Sequence, residues 1–326
     1  MVSKTKYALD FQTVCRLFQH AGISGVEAVR PLGAGEYNAV YEVTADGRPY
    51  VLKVAPKTGT PVMTYEKDMM SSEVYWYEQM RTHTSIRVPQ VFFSDFSRTL
   101  LDADWFIMEK LPGVTKDRFS MTPAERQQVQ KQLAAMAAEL HAISSDKAGY
   151  IQNGLYDNWY LALCSMVQNL LNDAARKGHR SRRGQKLLKL VQANRALLEP
   201  VACTMVNFDI WDPNILCTRE NGQIKLSWID PERSFWGDSI LDFFCLETEK
   251  PLASKTISLQ GYNAAAKCPV RCSAQEKRRL AFGHGLGGLI MEAEKYYRYT
   301  PRHFGWWRNV FASAFYFHSA FRALKK

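Results

Sequence analysis

The sequence lacks a long uninterrupted apolar segment. No stretch of its 326 residues approaches the roughly 18 consecutive apolar residues that span a bilayer. The opening residues MVSKTKYALDFQ also lack the apolar run and the small-residue cleavage site of a secretory leader. We therefore expect neither secretion nor a membrane partner.

The sequence also lacks an organised set of cysteines. Its seven cysteines are odd in number and scattered, and a chain of this length can bury a core without disulfides. Cys268 and Cys272 form a lone CPVRC, with no second pair of cysteines or histidines nearby to complete a zinc site. These features predict free thiols and a cytoplasmic protein.

Acidic residues are fewer than basic ones, so the formal net charge is +10. The basic run RKGHRSRR at 176–183 is short, polar and interrupted by glycine, which is typical of a solvated loop between helices. A positive field also attracts small anions, including nucleotides. Nucleic acid is therefore not expected as a partner, and salt-dependent binding through the basic run is the alternative.

The N-terminal third of the sequence has the texture of an antiparallel sheet. Segments VEAVRPL, AVYEV and PYVLKVA are rich in Val and Tyr and are separated by the turn sequences GAGEYN and ADGR. A helix over about 65–81 and two further strands, VPQVFFSDF and ADWFIMEKL, follow. These elements predict a small lobe formed by residues 1–109.

Beyond Pro112 and Gly113 the pattern becomes mainly helical. Thr122, Pro123 and Glu125 form a capping box with proline at the first helical position, which starts a long periodic run. Further helices are predicted at about 158–175, 184–198, 255–266, 274–298 and 306–323, with a hairpin at 215–230 around an Asn-Gly turn. The sequence thus predicts an α+β fold in which residues 110–113 form a hinge to a larger, mainly helical lobe, residues 114–326.

The turn LGAGEYN is the first candidate binding element. Gly33 and Gly35 would let backbone N–H groups approach a polyphosphate without interference from Cβ atoms, and Asn38 follows at the start of the next strand. No Gly-Lys-Ser or Gly-Lys-Thr follows, so the turn is not a Walker loop. A plain hairpin turn is the alternative interpretation.

Lys53 lies in the predicted third strand, YVLKVA, between two apolar neighbours. Because side chains alternate along a strand, the ordinary interpretation is a solvated lysine on the opposite face. The alternative is a lysine that reaches nucleotide phosphates and is held by a carboxylate of the following helix. Glu73 is the best placed partner, Glu78 is the second choice and Glu66 the third.

The segment VNFDIWDPNILC, residues 206–217, holds Asp209 and Asn214 five residues apart among apolar side chains. Asp209 fits a general base for a hydroxyl proton, and the Asn214 carbonyl oxygen fits a ligand for a hard cation such as Mg²⁺. Asp230 ends the strand LSWID and is a second candidate ligand. Each residue alone is more often a capping or turn residue, but the ordered set indicates a shared site.

Taken in order, the glycine turn, Lys53, the helix glutamate, the Asp-x4-Asn loop and Asp230 resemble the protein-kinase-like superfamily. More narrowly, the chain resembles aminoglycoside phosphotransferases and choline kinases. AAMAAELHAI is similar to the LA-x-LHA helix of that group, NFDIWDPNIL to its HGD-x4-N loop, and IDPERSFWGDSILDF to its IDxE…GDxxxD segment. The resemblance spans about residues 10–320, and the absence of DFG and APE separates the chain from protein kinases that act on Ser, Thr or Tyr.

This resemblance implies a two-lobed kinase-like enzyme that uses Mg²⁺ and ATP, or GTP in its place, to phosphorylate a hydroxyl of a small molecule. Lys53 would contact the nucleotide phosphates and pair with Glu73, and Asp209 would be the catalytic base. Asn214 and Asp230 would hold Mg²⁺. The adenine would be received by backbone groups of the segment that contains Met108, Glu109 and Leu111.

The resemblance also implies supporting roles. Asp238 and Asp242 in GDSILD would brace the catalytic loop, and His141 is expected to be structural. One departure concerns the loop itself, because the family's His and Gly are replaced here by Asn207 and Phe208. Since an Asn amide can donate and accept hydrogen bonds as His does, turnover is expected. A nucleotide-binding pseudokinase without turnover is the alternative.

The acceptor pocket is expected among the helices beyond residue 250. A polycationic aminoglycoside needs clustered carboxylates, and this region offers only Glu276, Glu292 and Glu294. A neutral or anionic hydroxylated metabolite is therefore favoured, within the wider class of amino sugars, amino alcohols and related metabolites. Glu247 and Glu249 remain candidates for recognising an amine. The aromatic residues of the region are interpreted mainly as packing residues: Tyr296, Tyr297, Tyr299, Phe304, Trp306 and Trp307.

Overall fold

The computed structural model describes residues 7–33, 37–248 and 250–325. Within these ranges the chain forms nine α-helices: α1 (Phe11–His20), α2 (Met69–His83), α3 (Pro123–Leu140), α4 (Trp159–Arg176), α5 (Arg182–Ala193), α6 (Arg195–Leu198), α7 (Thr256–Ala265), α8 (Ala274–Arg298) and α9 (Phe304–Leu324). The same ranges contain eleven β-strands: β1 (Val26–Pro31), β2 (Ala39–Ala45), β3 (Arg48–Val54), β4 (Val91–Asp95), β5 (Trp105–Glu109), β6 (Val114–Thr115), β7 (Ser144–Ser145), β8 (Cys203–Val206), β9 (Ile215–Glu220), β10 (Gln223–Trp228) and β11 (Phe235–Gly237).

The first five strands form one antiparallel sheet in the order β1-β2-β3-β5-β4. The predicted ADGR turn joins β2 to β3, where Asp46 and Gly47 both have positive φ, as a two-residue hairpin turn requires. Because side chains alternate across the sheet, Trp105 packs in one core with Phe18 of α1, whereas Phe106 lies in the other core with residues of α2. The sheet is thus covered by one helix on each face.

After β5 the described chain is mainly helical, with two short three-stranded sheets, β10-β9-β6 and β11-β8-β7. The predicted capping box opens α3, since Thr122 Oγ1 accepts from the Glu125 N–H at 3.2 Å and the Glu125 carboxylate accepts from the Thr122 N–H at 2.8 Å. The long helix α8 packs against α4, α5 and α9. Gly287 permits close packing here, because a Cβ at this position would lie 2.6 Å from the Phe244 ring.

The predicted order of sheet, helix and mainly helical lobe is confirmed, but two helix boundaries differ. The helix predicted from about residue 65 begins only at Met69, because Asp68 has a left-handed φ of 53° and Thr64–Glu66 forms a separate 3-10 turn. The helix predicted over about 184–198 is divided at Asn194, whose Nδ2 donates to the Leu190 carbonyl at 2.8 Å. In both places a short polar side chain interrupts an otherwise helical pattern.

Most C-terminal aromatic residues pack as predicted. Tyr296 and Trp306 meet edge to face at 5.0 Å, and the Tyr297 hydroxyl donates to the Asp173 carbonyl at 2.9 Å. Phe304 and Trp307 are the exceptions, since they are 80% and 50% exposed. Among the described residues, no helix combines the length and the apolar composition needed to cross a membrane.

His284 in the middle of α8 is expected to make the fold sensitive to acid. Its ring packs against the rings of Phe244 and Tyr316, and burial, helped by Lys255, lowers its pKa from 6.5 to about 4. The unfolded chain therefore binds this proton before the folded chain does. The free energy of unfolding should fall as the pH drops from about 6.5 to about 4, by up to about 3 kcal/mol.

Urea unfolding of the His284→Gln variant at about pH 7 and about pH 4.5 tests this prediction. The variant should lose part of the pH dependence that the wild type shows. His83→Gln, at an exposed position at the end of α2, is the matched control and should leave the dependence unchanged. Equal pH dependence in the His284→Gln variant and the wild type would contradict the prediction.

Candidate active site

The loop that follows β8 is held by two buried side chains. The Asp242 carboxylate is fully buried and accepts hydrogen bonds from the backbone N–H groups of Asn207 at 3.1 Å and Phe208 at 2.7 Å. Asn207 Oδ1 in turn accepts from the Asp209 N–H at 3.0 Å. The Asn207 amide oxygen thus supports the loop at the position where the family that the sequence resembles has His. Asp242 braces the loop, as the resemblance implied.

The other two expected supporting residues differ from each other. His141 is buried, with Nε2 at 2.9 Å from the Asp242 carboxylate and Nδ1 at 2.9 Å from the Tyr262 hydroxyl. Asp238 does not reach the loop, because it accepts from the Ile240 N–H and pairs with Arg279 at 3.3 Å. His141 therefore supports Asp242, whereas Asp238 caps the 3-10 turn Ser239–Phe244.

Phe208 occupies a backbone conformation that favours glycine. Its φ is +58°, in the left-handed region that bulky side chains rarely adopt. Its ring stacks on Phe244 at 5.2 Å and packs against Phe235 at 5.5 Å, while its N–H is held by Asp242. Packing and hydrogen bonding therefore offset the strain. The replacement of the family's Gly by Phe208 keeps the loop geometry rather than abolishing it.

Asn214 links the loop that carries Asp209 to the segment after β10 that carries Asp230. Its Nδ2 donates to the Asp209 carboxylate at 2.9 Å and to the Asp209 carbonyl at 3.0 Å. Its backbone carbonyl accepts from the Ile229 N–H at 2.9 Å, directly before Asp230. Because the amide nitrogen is directed to Asp209, the amide oxygen is available as a cation ligand. The loop and the strand end are thus joined at one place.

Lys53 is buried, so its ordinary interpretation as a solvated surface lysine is wrong. It is 4% exposed and lies opposite Phe106 in the pairing of β3 with β5, on the face that packs against α2. Its Nζ donates to three carboxylates: Glu73 Oε2 at 2.7 Å, Asp230 Oδ1 at 2.5 Å and Glu232 Oε2 at 3.1 Å. The predicted pairing of Lys53 with Glu73 is present.

The second and third candidate partners of Lys53 lie elsewhere. Glu78 accepts from the Thr82 hydroxyl at 3.1 Å on the exposed side of α2. Glu66 pairs with Arg298 of α8, and the Arg298 guanidinium lies 4.4 Å from the Tyr37 ring at the end of the glycine turn. Glu66 therefore joins the small lobe to α8. It takes no part in the group formed by Lys53, Glu73, Asp230 and Glu232, which we call the lysine cluster.

The lysine cluster contains more negative than positive charge. Burial alone would lower the pKa of Lys53, but Asp230, Glu232 and Glu73 raise it well above 10.5. Burial raises the pKa of both Glu73 and Glu232, and Lys53 opposes that rise. Carboxylate oxygens of the three acids lie within 4.8 Å of one another. Such a set of oxygen donors fits a hard divalent cation.

Glu232 is a site residue that sequence reasoning missed. Its Oε2 accepts from Lys53 and also from Asn38 Nδ2 at 3.1 Å, which ties the strand after the glycine turn to the lysine cluster. The signal was available, because Glu232 is the final residue of the IDPE match.

Asp209 lies beside an arginine that sequence reasoning also missed. Burial raises the pKa of Asp209 to about 6, Arg233 opposes that rise, and Asp230 adds to it. The Arg233 Nε is 3.9 Å from Asp209 Oδ1, and Arg233 Nη2 donates to Glu294 on α8 at 3.2 Å. Asp209 is thus a carboxylate with a pKa raised towards neutral pH, next to Arg233 and under the electrostatic influence of Asp230.

The candidate nucleotide-binding residues of the glycine turn are only partly described. Gly33 is exposed, with open space where a Cβ would stand. Gly35 lies outside the described residues. Asn38 is buried and contacts Glu232, so it faces the carboxylates of the lysine cluster.

The candidate adenine-binding segment ends β5. Met108 and Leu111 are buried, and the Glu109 N–H donates to the Gln90 carbonyl at 2.8 Å. The Glu109 side chain pairs with Arg87. No hydrogen bond joins the Leu111 backbone to another described residue. Of the three predicted residues, Leu111 therefore has the backbone best suited to receive a base edge.

The carboxylates considered for recognising an amine are already engaged. Each has a partner in the described part of the chain: Glu276 caps α8 through Ser273, Glu292 pairs with His179 and Arg183, Glu294 pairs with Arg233, and Glu247 accepts from the Ser258 N–H. Glu249 lies outside the described residues. These pairings leave no cluster of open carboxylates on this part of α8.

The basic run at 176–183 forms the predicted connection between α4 and α5. Several of its residues contact acidic side chains of the same chain: Arg176 pairs with Asp173 at 2.6 Å, Arg183 pairs with Glu292 at 3.4 Å, and His179 Nε2 lies 2.7 Å from Glu292 Oε1. Arginines that already have an acidic partner attract nucleic acid less strongly, so this geometry favours the loop interpretation.

Three solved structures share this fold. A Haemophilus somnus protein provisionally assigned as a fructosamine-3-kinase is 16% identical, with a TM-score of 0.65, and the match covers 94% of this chain and 97% of that one. The streptomycin and ATP complex of aminoglycoside phosphotransferase APH(2'')-IIa is 15% identical, with a TM-score of 0.60 over 94% and 97%. The GDP complex of a mutant of aminoglycoside 2'-phosphotransferase IIIa is 16% identical, with a TM-score of 0.64 over 96% and 98%. The predicted two-lobed, protein-kinase-like fold is confirmed.

Family assignment rests on the sequence. No curated protein matches the chain. The model of the phosphotransferase enzyme family (APH) matches residues 28–249, a range that begins in β1 and includes Lys53, Asp209 and Asp230. The resemblance to aminoglycoside phosphotransferases stated from the motifs is confirmed, and the chain belongs to the phosphotransferase enzyme family.

Proposed function

We propose that this protein transfers the γ-phosphoryl group of ATP, or of GTP in its place, to a hydroxyl group of a small molecule in a Mg²⁺-dependent reaction. The observation that carries the proposal is the convergence of three chain-distant side chains. Lys53 Nζ is 2.5 Å from Asp230 Oδ1, and Asn214 joins that strand end to Asp209. Phosphoryl transfer depends mainly on such positioning and charge neutralisation.

The acid-base role in this proposal belongs to Asp209. The acceptor hydroxyl gives its proton to the Asp209 carboxylate while its oxygen bonds to the γ-phosphorus, and the nucleoside diphosphate leaves with the bridging oxygen. Asn214 orients the carboxylate through its 2.9 Å hydrogen bond. A pKa near 6 suits a base that works at neutral pH.

The phosphate-binding role belongs to Lys53, whose ammonium Glu73 holds at 2.7 Å. Asn214 Oδ1 and Asp230 would hold Mg²⁺, which supplies charge neutralisation at the phosphates when bound. Glu232 is an additional candidate ligand because its oxygen lies in the same cluster. The Lys53 ammonium would then bind the phosphates directly, and the carboxylates would act on them through the bound Mg²⁺.

The remaining nucleotide contacts are assigned to the small lobe, residues 1–109, and the hinge, residues 110–113. Gly33, Gly35 and Asn38 would cover the phosphates. The adenine would meet the backbone near Met108, Glu109 and Leu111. Residues 114–326 would then form the catalytic and acceptor-binding lobe. Seven free cysteines fit the reducing cytoplasm, where ATP and Mg²⁺ are supplied.

We assign the acceptor to neutral or anionic hydroxylated metabolites rather than to polycationic aminoglycosides. Two of the structural neighbours are aminoglycoside phosphotransferases, but in this chain Glu292 and Glu294 are paired with basic side chains. The side chain beside Asp209 is a cation, Arg233. A polycationic acceptor would have to displace these pairs at a cost in desolvation.

Release of ADP in the presence of Mg²⁺ and a panel of acceptors tests the proposed function. The panel should contain sugars, sugar acids, amino sugars, amino alcohols and nucleosides, and it should be repeated with GTP. We expect turnover with at least one hydroxylated acceptor that carries no more than one positive charge. The alternative, which Asn207 motivates, is a pseudokinase. It would be favoured if the protein binds nucleotide but no acceptor in the panel raises ADP release above the acceptor-free rate.

A further inference from the structure

Helix α9 exposes a row of large aromatic side chains on its outer face. Phe304, Trp307, Phe311 and Phe315 have the spacing of one helical face and are 80%, 50%, 70% and 49% exposed. We call these four residues the aromatic stripe. Exposed apolar side chains are normally scattered singly, so a contiguous row of four indicates a docking surface.

Positive charge surrounds the aromatic stripe. Residues 299–326 contain five lysines or arginines and no aspartate or glutamate. Arg308, Arg322 and Lys325 are exposed, and their spacing from Phe304 places them on the same face of the helix. The neighbouring helix α5 also lacks acidic residues, and its Lys186 Nζ lies 4.4 Å from the Phe321 ring. The surface is therefore both aromatic and cationic.

A second copy of the chain is a poor occupant for this surface. A two-fold dimer would place the same face of each copy against the other. Here the basic residues that flank the stripe would meet basic residues, with no acidic side chain on α9 or α5 to compensate. The complementary occupant must combine an apolar layer with negative charge.

We propose that the aromatic stripe binds an anionic membrane surface, with α9 lying in the plane of the interface. Phe and Trp side chains would enter the boundary between headgroups and acyl chains, while the flanking Lys and Arg side chains bind lipid phosphates. The expectation of no membrane partner considered spanning segments alone, and this contact is peripheral. The proposal does not depend on the chemistry assigned to the candidate active site.

Co-sedimentation of the full chain with lipid vesicles is the direct test. The protein should bind vesicles made of equal parts phosphatidylglycerol and phosphatidylcholine at least about tenfold more strongly than vesicles of phosphatidylcholine alone. Raising NaCl from about 0.1 M to about 0.5 M should weaken the binding, because salt screens the basic flank.

Two variants separate the apolar and the charged contributions. Phe304→Ser combined with Phe311→Ser removes the two most exposed rings and should reduce vesicle affinity by at least about tenfold. Arg322→Glu combined with Lys325→Glu should reduce it by a similar factor. The matched control combines Phe11→Ser with Phe92→Ser, which are 49% and 47% exposed elsewhere on the surface, and should bind like the wild type.

The thermal midpoint and the nucleotide affinity of every variant should match those of the wild type, because none of these side chains lies in the candidate active site. Absence of sedimentation with the anionic vesicles overturns the proposal, as does an equal loss of binding in the control. Light scattering that shows a dimer, converted to a monomer by the two serines on α9, would assign the surface to a second copy. Binding to polyglutamate without binding to vesicles would assign it to an acidic polypeptide.

Discussion

Replacing Asp209 by alanine is expected to lower kcat by about 10²- to 10⁴-fold with the true acceptor, which is the usual contribution of a general base. Nucleotide affinity should stay nearly unchanged, because Lys53 keeps its contacts with Asp230 and Glu73. Coupled detection of ADP measures the turnover, and calorimetric titration with the Mg²⁺ nucleotide measures the affinity.

Loss of folding is not expected to explain the lower kcat of the Asp209→Ala variant. Burial raises the pKa of Asp209 to about 6, so its ionised form costs free energy in the folded chain at neutral pH. The thermal midpoint of the alanine variant should therefore equal or exceed that of the wild type. Asp212→Ala is the matched control, since its side chain is 49% exposed and pairs with Lys116. Comparable turnover by the Asp209 variant and this control would remove the assigned base.

The convergence of Lys53, Asp209 and Asp230 could be predicted because each lies in or beside a strand whose place in the chain order is recognisable. The contact between Glu232 and Lys53 was harder to predict, because it depends on the backbone conformation between Asp230 and Glu232. Asp230 has a left-handed φ of 62° and is followed by Pro231, so the chain turns and returns the glutamate to Lys53. Alternation along a strand predicts neither the turn nor this contact.

Long-range ion pairs are the other part of the site that periodicity could not supply. Arg233 meets Glu294 across 61 residues, and His179 meets Glu292 across 113. Both pairs depend on how α8 packs against its neighbours, and their members are ordinary charged residues in the sequence. For this reason the sequence alone does not show that Glu292 and Glu294 each have a basic partner in the folded chain.

The lysine cluster should respond to mutation more strongly than a surface ion pair. Lys53→Met removes the only cation that contacts Glu73, Asp230 and Glu232 among the described residues. Removing one partner of a buried pair typically costs about 3–5 kcal/mol in the free energy of unfolding. The same change should lower kcat/KM for the nucleotide by at least about 10²-fold, because a preorganised charge at the phosphates is lost. Lys147→Met, which breaks an exposed pair with Asp157, is the control and should change neither quantity appreciably.

A second substitution distinguishes lost charge balance from lost nucleotide contact. Burial holds the pKa of Glu73 above its ordinary value of 4.5, and without Lys53 nothing opposes that rise. Because the unfolded carboxyl ionises first, the free energy of unfolding of Lys53→Met should fall as the pH rises above 4.5. Adding Glu73→Gln removes one of the buried acids, so the double variant should regain stability at about pH 8 while its turnover stays as low as in Lys53→Met. Urea unfolding at about pH 8 measures the stability of both variants. If the double variant is no more stable than Lys53→Met, Lys53 does not stabilise the fold by balancing the charge of Glu73.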